Sequence, residues 1–139
     1  MRWGLEVVVV PVSDVDRAKA FYADRLGFVV DHDTVVGMGR IVQLTPPGSG
    51  CSVVIGDGVV PEMVPGSLKG LQLVVGDLVA AHAHLCARGV ENGGIQVAGP
   101  SGFRPAEAGE ELDNVGFVFF ADPDGNAWAV QQISARGVG

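Results

Sequence analysis

The sequence predicts an α+β protein made of two similar modules, each a strand, then a helix, then further strands. Three observations predict it. Apolar residues switch from a strand period of two to a helical spacing of three and four, in the same order in each half of the chain. Cap, stop and turn residues recur at matching points of that order. The chain also has 139 residues, 47% hydrophobic and 18% charged, which suits a domain with a real core rather than a disordered chain. Its 21 glycines and 6% aromatic content fit short strands joined by tight turns better than a helical bundle.

In the first half, Leu5–Val12 is an apolar β-branched run, predicted as a strand buried on both faces. Pro11 lacks a backbone donor and places that end at an edge or a bulge. Ser13 or Asp14 caps a helix, Asp16 suits the positive end of its dipole, and Val15, Ala18, Phe21, Tyr22 and Leu26 form its apolar stripe. Gly27 supplies the left-handed residue that closes it. Phe28–Asp33, Arg40–Thr45 and Cys51–Ile55 read as strands, the last two joined by a turn through Pro46, Pro47, Gly48 and Gly50.

The second half repeats the order. Leu71–Val75 is a strand, Asp77 a cap, Leu78, Ala81 and Leu85 a stripe, and Gly89 a stop. Val115–Ala121 and Ala127–Ile133 are strands around the turn Asp122-Pro123-Asp124-Gly125-Asn126. Pro123 lies 123 − 46 = 77 residues after Pro46, whereas Asp77 lies 77 − 14 = 63 after Asp14. The difference of 14 places an insertion in the second half, in the Gly-, Pro- and Glu-rich stretch Ala98–Asn114. The expected organisation is one domain over 1–139, with a module at about 1–58, a linker at about 59–68 and a second module at about 69–135.

Nine Lys and Arg against 16 Asp and Glu give 9 − 16 = −7, with a pI near 4.7, which excludes a non-specific grip on nucleic acid. No apolar run reaches the roughly 20 residues of a membrane span, and no secretory signal is visible. A cytoplasmic location is therefore expected. Cys51 and Cys86 are too few and too far apart for a disulfide framework or a zinc knuckle, and read as buried free thiols.

Val10-Pro11-Val12-Ser13-Asp14, followed by Ala18, Phe21-Tyr22 and Leu26-Gly27-Phe28, resembles the opening of the glyoxalase, bleomycin-resistance and extradiol-dioxygenase superfamily, the vicinal oxygen chelate fold. Phe119-Phe120-Ala121-Asp122-Pro123-Asp124-Gly125-Asn126-Ala127-Trp128 is similar to its closing hairpin. The resemblance implies paired βαβββ modules whose mixed sheet curls around a central cavity, in a homodimer. In metal-dependent members His or Glu occupies four inward positions, on the first and last strand of each module. Carried over, three of these fall on Val7, Leu71 and Ala129, none of which can donate to a cation. The fourth lies within Cys51–Ile55, which has no His, Asp or Glu in any register. No metal and no cofactor are therefore expected. His32, His82 and His84 read as surface residues, and alternation turns Glu6 and Gln72 to the opposite face.

The expected cavity lining is Leu5, Val7 and Val9 with Leu71 and Leu73, beside the small Ala127 and Ala129 and then Gln131. Arg40, Gln43 and Arg104 are candidate polar contacts, and Trp3, Phe103 and Trp128 candidate aromatic walls, although Trp128, opposite Ala129 in phase, also reads as core. The expected function is a metal-free protein binding an apolar or aromatic metabolite or antibiotic. Alternatives are a metal-independent lyase or isomerase using Glu107, Glu110, Glu111, Asp113, Asp31 or Asp33 as a base, a metal-dependent glyoxalase or dioxygenase, and a purely structural dimer subunit.

Overall fold

A computed structural model describes residues 1–136 and shows two mixed sheets, of four and five strands, with few helices. The last three residues of the expected domain, 137–139, lie outside the described residues. The architecture is α+β, as the sequence predicts, and neither sheet closes on itself. The chain forms two compact units. The first is Met1–Leu68 with Asp122–Asn126; the second is Lys69–Ala121 with the residues from Ala127 onward.

In the first unit, β1 (Val7–Val9), β2 (Val29–Val36), β3 (Gly39–Thr45) and β4 (Ser52–Asp57) lie in the order β1-β4-β3-β2. β1 runs parallel to β4 and the other neighbours are antiparallel. A helical crossover followed by two reversals gives this arrangement. Helix α1 (Val15–Ala20) is capped by Asp14, whose carboxylate accepts the Arg17 N–H at 3.0 Å.

Two expectations change here. The helix does not run on regularly to Leu26: Phe21–Arg25 is a π-helical turn, in which the Leu26 N–H donates to the Phe21 carbonyl at 3.1 Å. Within that turn the fully buried Tyr22 packs against Phe21 and Phe28, at ring separations of 5.3 and 5.7 Å. The second change is the strand read over Leu5–Val12. Only Val7–Val9 forms a strand, it lies at a sheet edge, and Leu5 is exposed. The ladder ends where the Val10 N–H donates to the Val54 carbonyl, because Pro11 has no donor to extend it.

In the second unit, β5 (Leu71–Val75), β6 (Gln96–Gly99), β7 (Gly102–Pro105), β8 (Gly116–Ala121) and β9 (Ala127–Gln132) lie in the order β5-β9-β8-β6-β7. That is the order of the first unit with β7 added. β6 is a strand the sequence reading lacked, and β7 turns part of the expected inserted loop into a hairpin. Helix α2 (Leu78–Ala87) is capped by Asp77, which accepts the Ala80 N–H at 3.1 Å, and Leu78 and Leu85 are its buried side chains. Cys86, expected to be buried, is exposed, and Cys51 is half-buried. Cys86 follows Leu85 by one residue, about 100° further around the helix and away from the sheet. Trp128, Val130, Val118 and Phe120 form the core face of this sheet, with the Phe120 and Trp128 rings stacked at 6.1 Å.

Candidate functional site

Alternation gives each sheet two faces, and the ladder registers assign residues to them. In the first unit Val42, Leu44, Val53 and Ile55 share the core face. The opposite face carries Val7, Val9, Ile41, Gln43, Ser52 and Val54. His32 joins it across from Gln43, with its Nε2 3.1 Å from the Gln43 Oε1. Val7, Val9 and Gln43 thus share one face, as the sequence reading has them.

The phase of β5 is the reverse of that reading. Leu71 pairs with Trp128 and Leu73 with Val130, so both leucines lie on the core face. Gln72, which the sequence reading turns away, pairs with Ala129 and donates from its amide to the Gln131 Oε1 at 2.5 Å. Seven residues separate Val7 from its cap Asp14; the same distance from Asp77 reaches Gly70, so Leu71 is one step out of phase.

On that second-unit face, Phe117 lies across from Gln131 and Phe119 across from Ala129. Phe103 on β7 reaches both rings, with centroids 5.4 Å from Phe117 and 5.1 Å from Phe119 and planes at 82° to each. Phe117 and Phe119 are parallel to within 2° at 5.9 Å. Phe103 is 54% exposed and Phe119 37%, a large apolar area to leave at a surface. Ala127 and Ala129 leave a low floor beside the rings. A chain of amides borders it: Gln72 donates to Gln131, and Gln131 donates to the Asn114 carbonyl at 2.8 Å. The Gln72 side-chain oxygen has no donor among the described residues. The structure therefore gathers Phe103, Ala129 and Gln131 from the expected site and adds Phe117, Phe119 and Gln72.

The two arginines go elsewhere. Arg40 shares the phase of Val42 and grips Asp33 with two bonds, 2.9 and 2.8 Å, while a third reaches Asp16 at 2.7 Å. Hydrogen bonds from Arg40 and Lys19 hold the Asp33 carboxyl well below the usual carboxylate range. Arg104, across from Val97, forms a two-point pair with Glu110. Of the other aromatic candidates, Trp3 is 87% exposed and Trp128 belongs to the core.

The Arg104 guanidinium, helped by the Glu107 N–H, lowers the Glu110 pKa from 4.5 to about 2. A depressed carboxyl pKa stabilises the fold above the unfolded value, and the gain fades as pH falls from 4.5 through about 2. In Arg104→Ala, the Glu110 titration followed by carboxyl-carbon NMR moves up toward 4.5, the Glu107 N–H keeping part of the depression. An unchanged midpoint means that Arg104 is not its cause.

Among the described residues, no three His, Cys, Asp or Glu side chains sit close enough together to hold a metal ion. The ladder puts Ser52 across from Val7, and Gln72 beside Ala129.

A sequence profile of the Glyoxalase/Bleomycin resistance protein/Dioxygenase superfamily matches residues 4–130. The chain belongs to this superfamily. Among solved structures, TnmS3, an antibiotic binding protein from Streptomyces sp. CB03234, is 34% identical, with a TM-score of 0.72 over 96% of this chain and 98% of that one. A glyoxalase/bleomycin resistance protein from the same Streptomyces strain is also 34% identical, with a TM-score of 0.70, covering 93% of this chain and all of that one. A superfamily member from Sphaerobacter thermophilus DSM 20745 is 27% identical, with a TM-score of 0.73 over 94% and 98% of the two chains. Comparison with curated proteins found no match. The superfamily motifs here are structural. Asp14, Gly27 and the Asp122–Asn126 turn cap and close elements, while Phe119 and Ala127 of the closing motif also lie on the aromatic face.

Proposed function

We propose that this superfamily member is a metal-free binding protein for a small apolar or aromatic molecule, a metabolite or an antibiotic, acting in the cytoplasm as a homodimer. The observation that carries the reading is the half-exposed cluster of Phe103, Phe117 and Phe119 beside Ala127, Ala129 and the Gln72–Gln131 amides. Parallel and edge-on rings over a low floor suit a planar ligand, and the open Gln72 oxygen orients a donor on it. Similarity to an antibiotic binding protein along nearly the whole chain supports the same reading.

The chemistry of the carried-over metal positions supports the metal-free part. Valine, glycine, leucine and alanine side chains offer a cation no lone pair, and the Ser52 hydroxyl and Gln72 amide oxygen are neutral, weak ligands. The alternative of a metal-independent lyase or isomerase needs a base whose pKa is raised toward neutrality. Among its candidates, Asp33, Glu110 and Asp113 are shifted the other way by their hydrogen-bond partners.

A thermal-shift panel of planar polycyclic aromatics, with aliphatic acids and alcohols as controls, tests the proposal. The melting temperature rises with the logarithm of aromatic concentration and not with the aliphatic controls. In Phe103→Ala/Phe119→Ala the affinity falls about tenfold or more, since each ring contact contributes about 0.5–1.5 kcal/mol. Equal affinity in that variant places the ligand elsewhere.

A further inference from the structure

Residues of the first unit alone line a broad, solvent-open groove of about 540 Å³ beyond the end of β4. Its volume is within the range of small-molecule sites. Val60, Pro61, Met63 and Val64 give it apolar walls, and Asp57 and Glu62 are its ionisable residues, with no Lys, Arg or His in the lining. Neither carboxylate has a hydrogen bond or ion pair among the described residues. Arg40, across the ladder from Asp57, has its guanidinium on Asp16 and Asp33 instead.

The wall is held in place at both ends. After β4 the chain folds straight back onto the β3–β4 hairpin, so closely that a Cβ on Gly39 would lie 2.5 Å from the Asp57 carbonyl oxygen and 2.7 Å from Val59 Cγ1. A Cβ on Gly56 would meet Val60 Cγ1 at 2.9 Å. At the far end the Gly66 N–H donates to the Pro11 carbonyl at 3.1 Å, and the Ser67 N–H to the Val64 carbonyl at 3.0 Å. Two uncompensated negative charges among apolar walls focus a field that favours a cation, and the net charge of −7 adds to it.

We propose that this groove is a second binding site, for an organic amine carrying an apolar body. The ammonium is held by Asp57 and Glu62, and the hydrocarbon lies against Val60, Pro61, Met63 and Val64. The site is independent of the aromatic face, and its test uses ligands without rings that stack.

The probes are 4-cyclohexylbutylamine and its neutral isostere 4-cyclohexylbutan-1-ol, titrated into the full chain and followed by backbone amide NMR. The amine shifts the Gly56, Gly58 and Met63 amides, and the alcohol binds about fivefold or more weakly, as two exposed charge contacts imply. Added salt weakens the amine alone. Asp57→Asn/Glu62→Gln, at two exposed positions, removes the preference and leaves the spectrum otherwise folded. Equal binding of the two probes, a preference kept in the double variant, shifts confined to second-unit amides, or no shift at about 10 mM amine overturns the proposal.

Discussion

Replacing Asp122 by alanine lowers the melting temperature by about 10–20 °C, for a cost of about 3–5 kcal/mol. The carboxylate is buried and accepts five hydrogen bonds. Its Oδ1 takes the N–H groups of Asp124, Gly125 and Asn126 at 3.0, 3.0 and 2.9 Å. Its Oδ2 takes the Tyr22 hydroxyl at 2.7 Å and the Asn126 side-chain amide at 2.8 Å. Asn126 in turn donates to the Pro11 carbonyl at 2.8 Å and accepts the Leu68 N–H at 3.0 Å. Truncation leaves a buried hydroxyl and a buried amide without their acceptor, which costs more than the bonds themselves. Asp122→Asn separates geometry from charge. It keeps the turn acceptor but sets one amide donor against another at Asn126, and calorimetry places it between wild type and alanine. An alanine variant within about 1 kcal/mol of wild type means that the network adds little.

Gly66→Ala is the second large effect, at about 3 kcal/mol or more. Gly66 has φ +79°, where an L side chain is strained, and an added Cβ would land on the Asp124 carbonyl oxygen. The carbonyl belongs to the turn that Asp122 organises, so it cannot move without breaking those bonds. Gly70→Ala is the control: its φ is +88°, but nothing lies within 4 Å of the added atom. It costs only the backbone strain, about 1–2 kcal/mol. Urea midpoints at constant slope measure both, and equal shifts show that the Asp124 contact is absent.

Elements bounded by strong punctuation were legible in the sequence. β5 lies where expected, between Gly70 and Gly76, and both helix caps act as read. β6 was not legible, because four residues, Gln96–Gly99, are too short to show a period and follow Gly93 and Gly94. Nor does apolarity alone reveal that Phe21–Arg25 widens to a π turn.

The aromatic face was half legible. The sequence singles out Phe103, Ala129 and Gln131, whereas in it Phe117 and Phe119 read only as strand and motif. Trp128 carries the signal that finds them: as a core residue across from Phe120, it puts Phe120 and Val118 inside and Phe117 and Phe119 on the other face. Gln72 was lost to a single step of phase. Arg40 and Arg104 carry charges whose partners, Asp16, Asp33 and Glu110, come close only once the chain has folded.

Intermolecular Overhauser effects between a bound planar aromatic and the protein's own protons test the binding face directly. The account predicts contacts to the rings of Phe103, Phe117 and Phe119 and to the methyls of Ala127 and Ala129. A ligand that raises the melting temperature yet shows none of these contacts contradicts it.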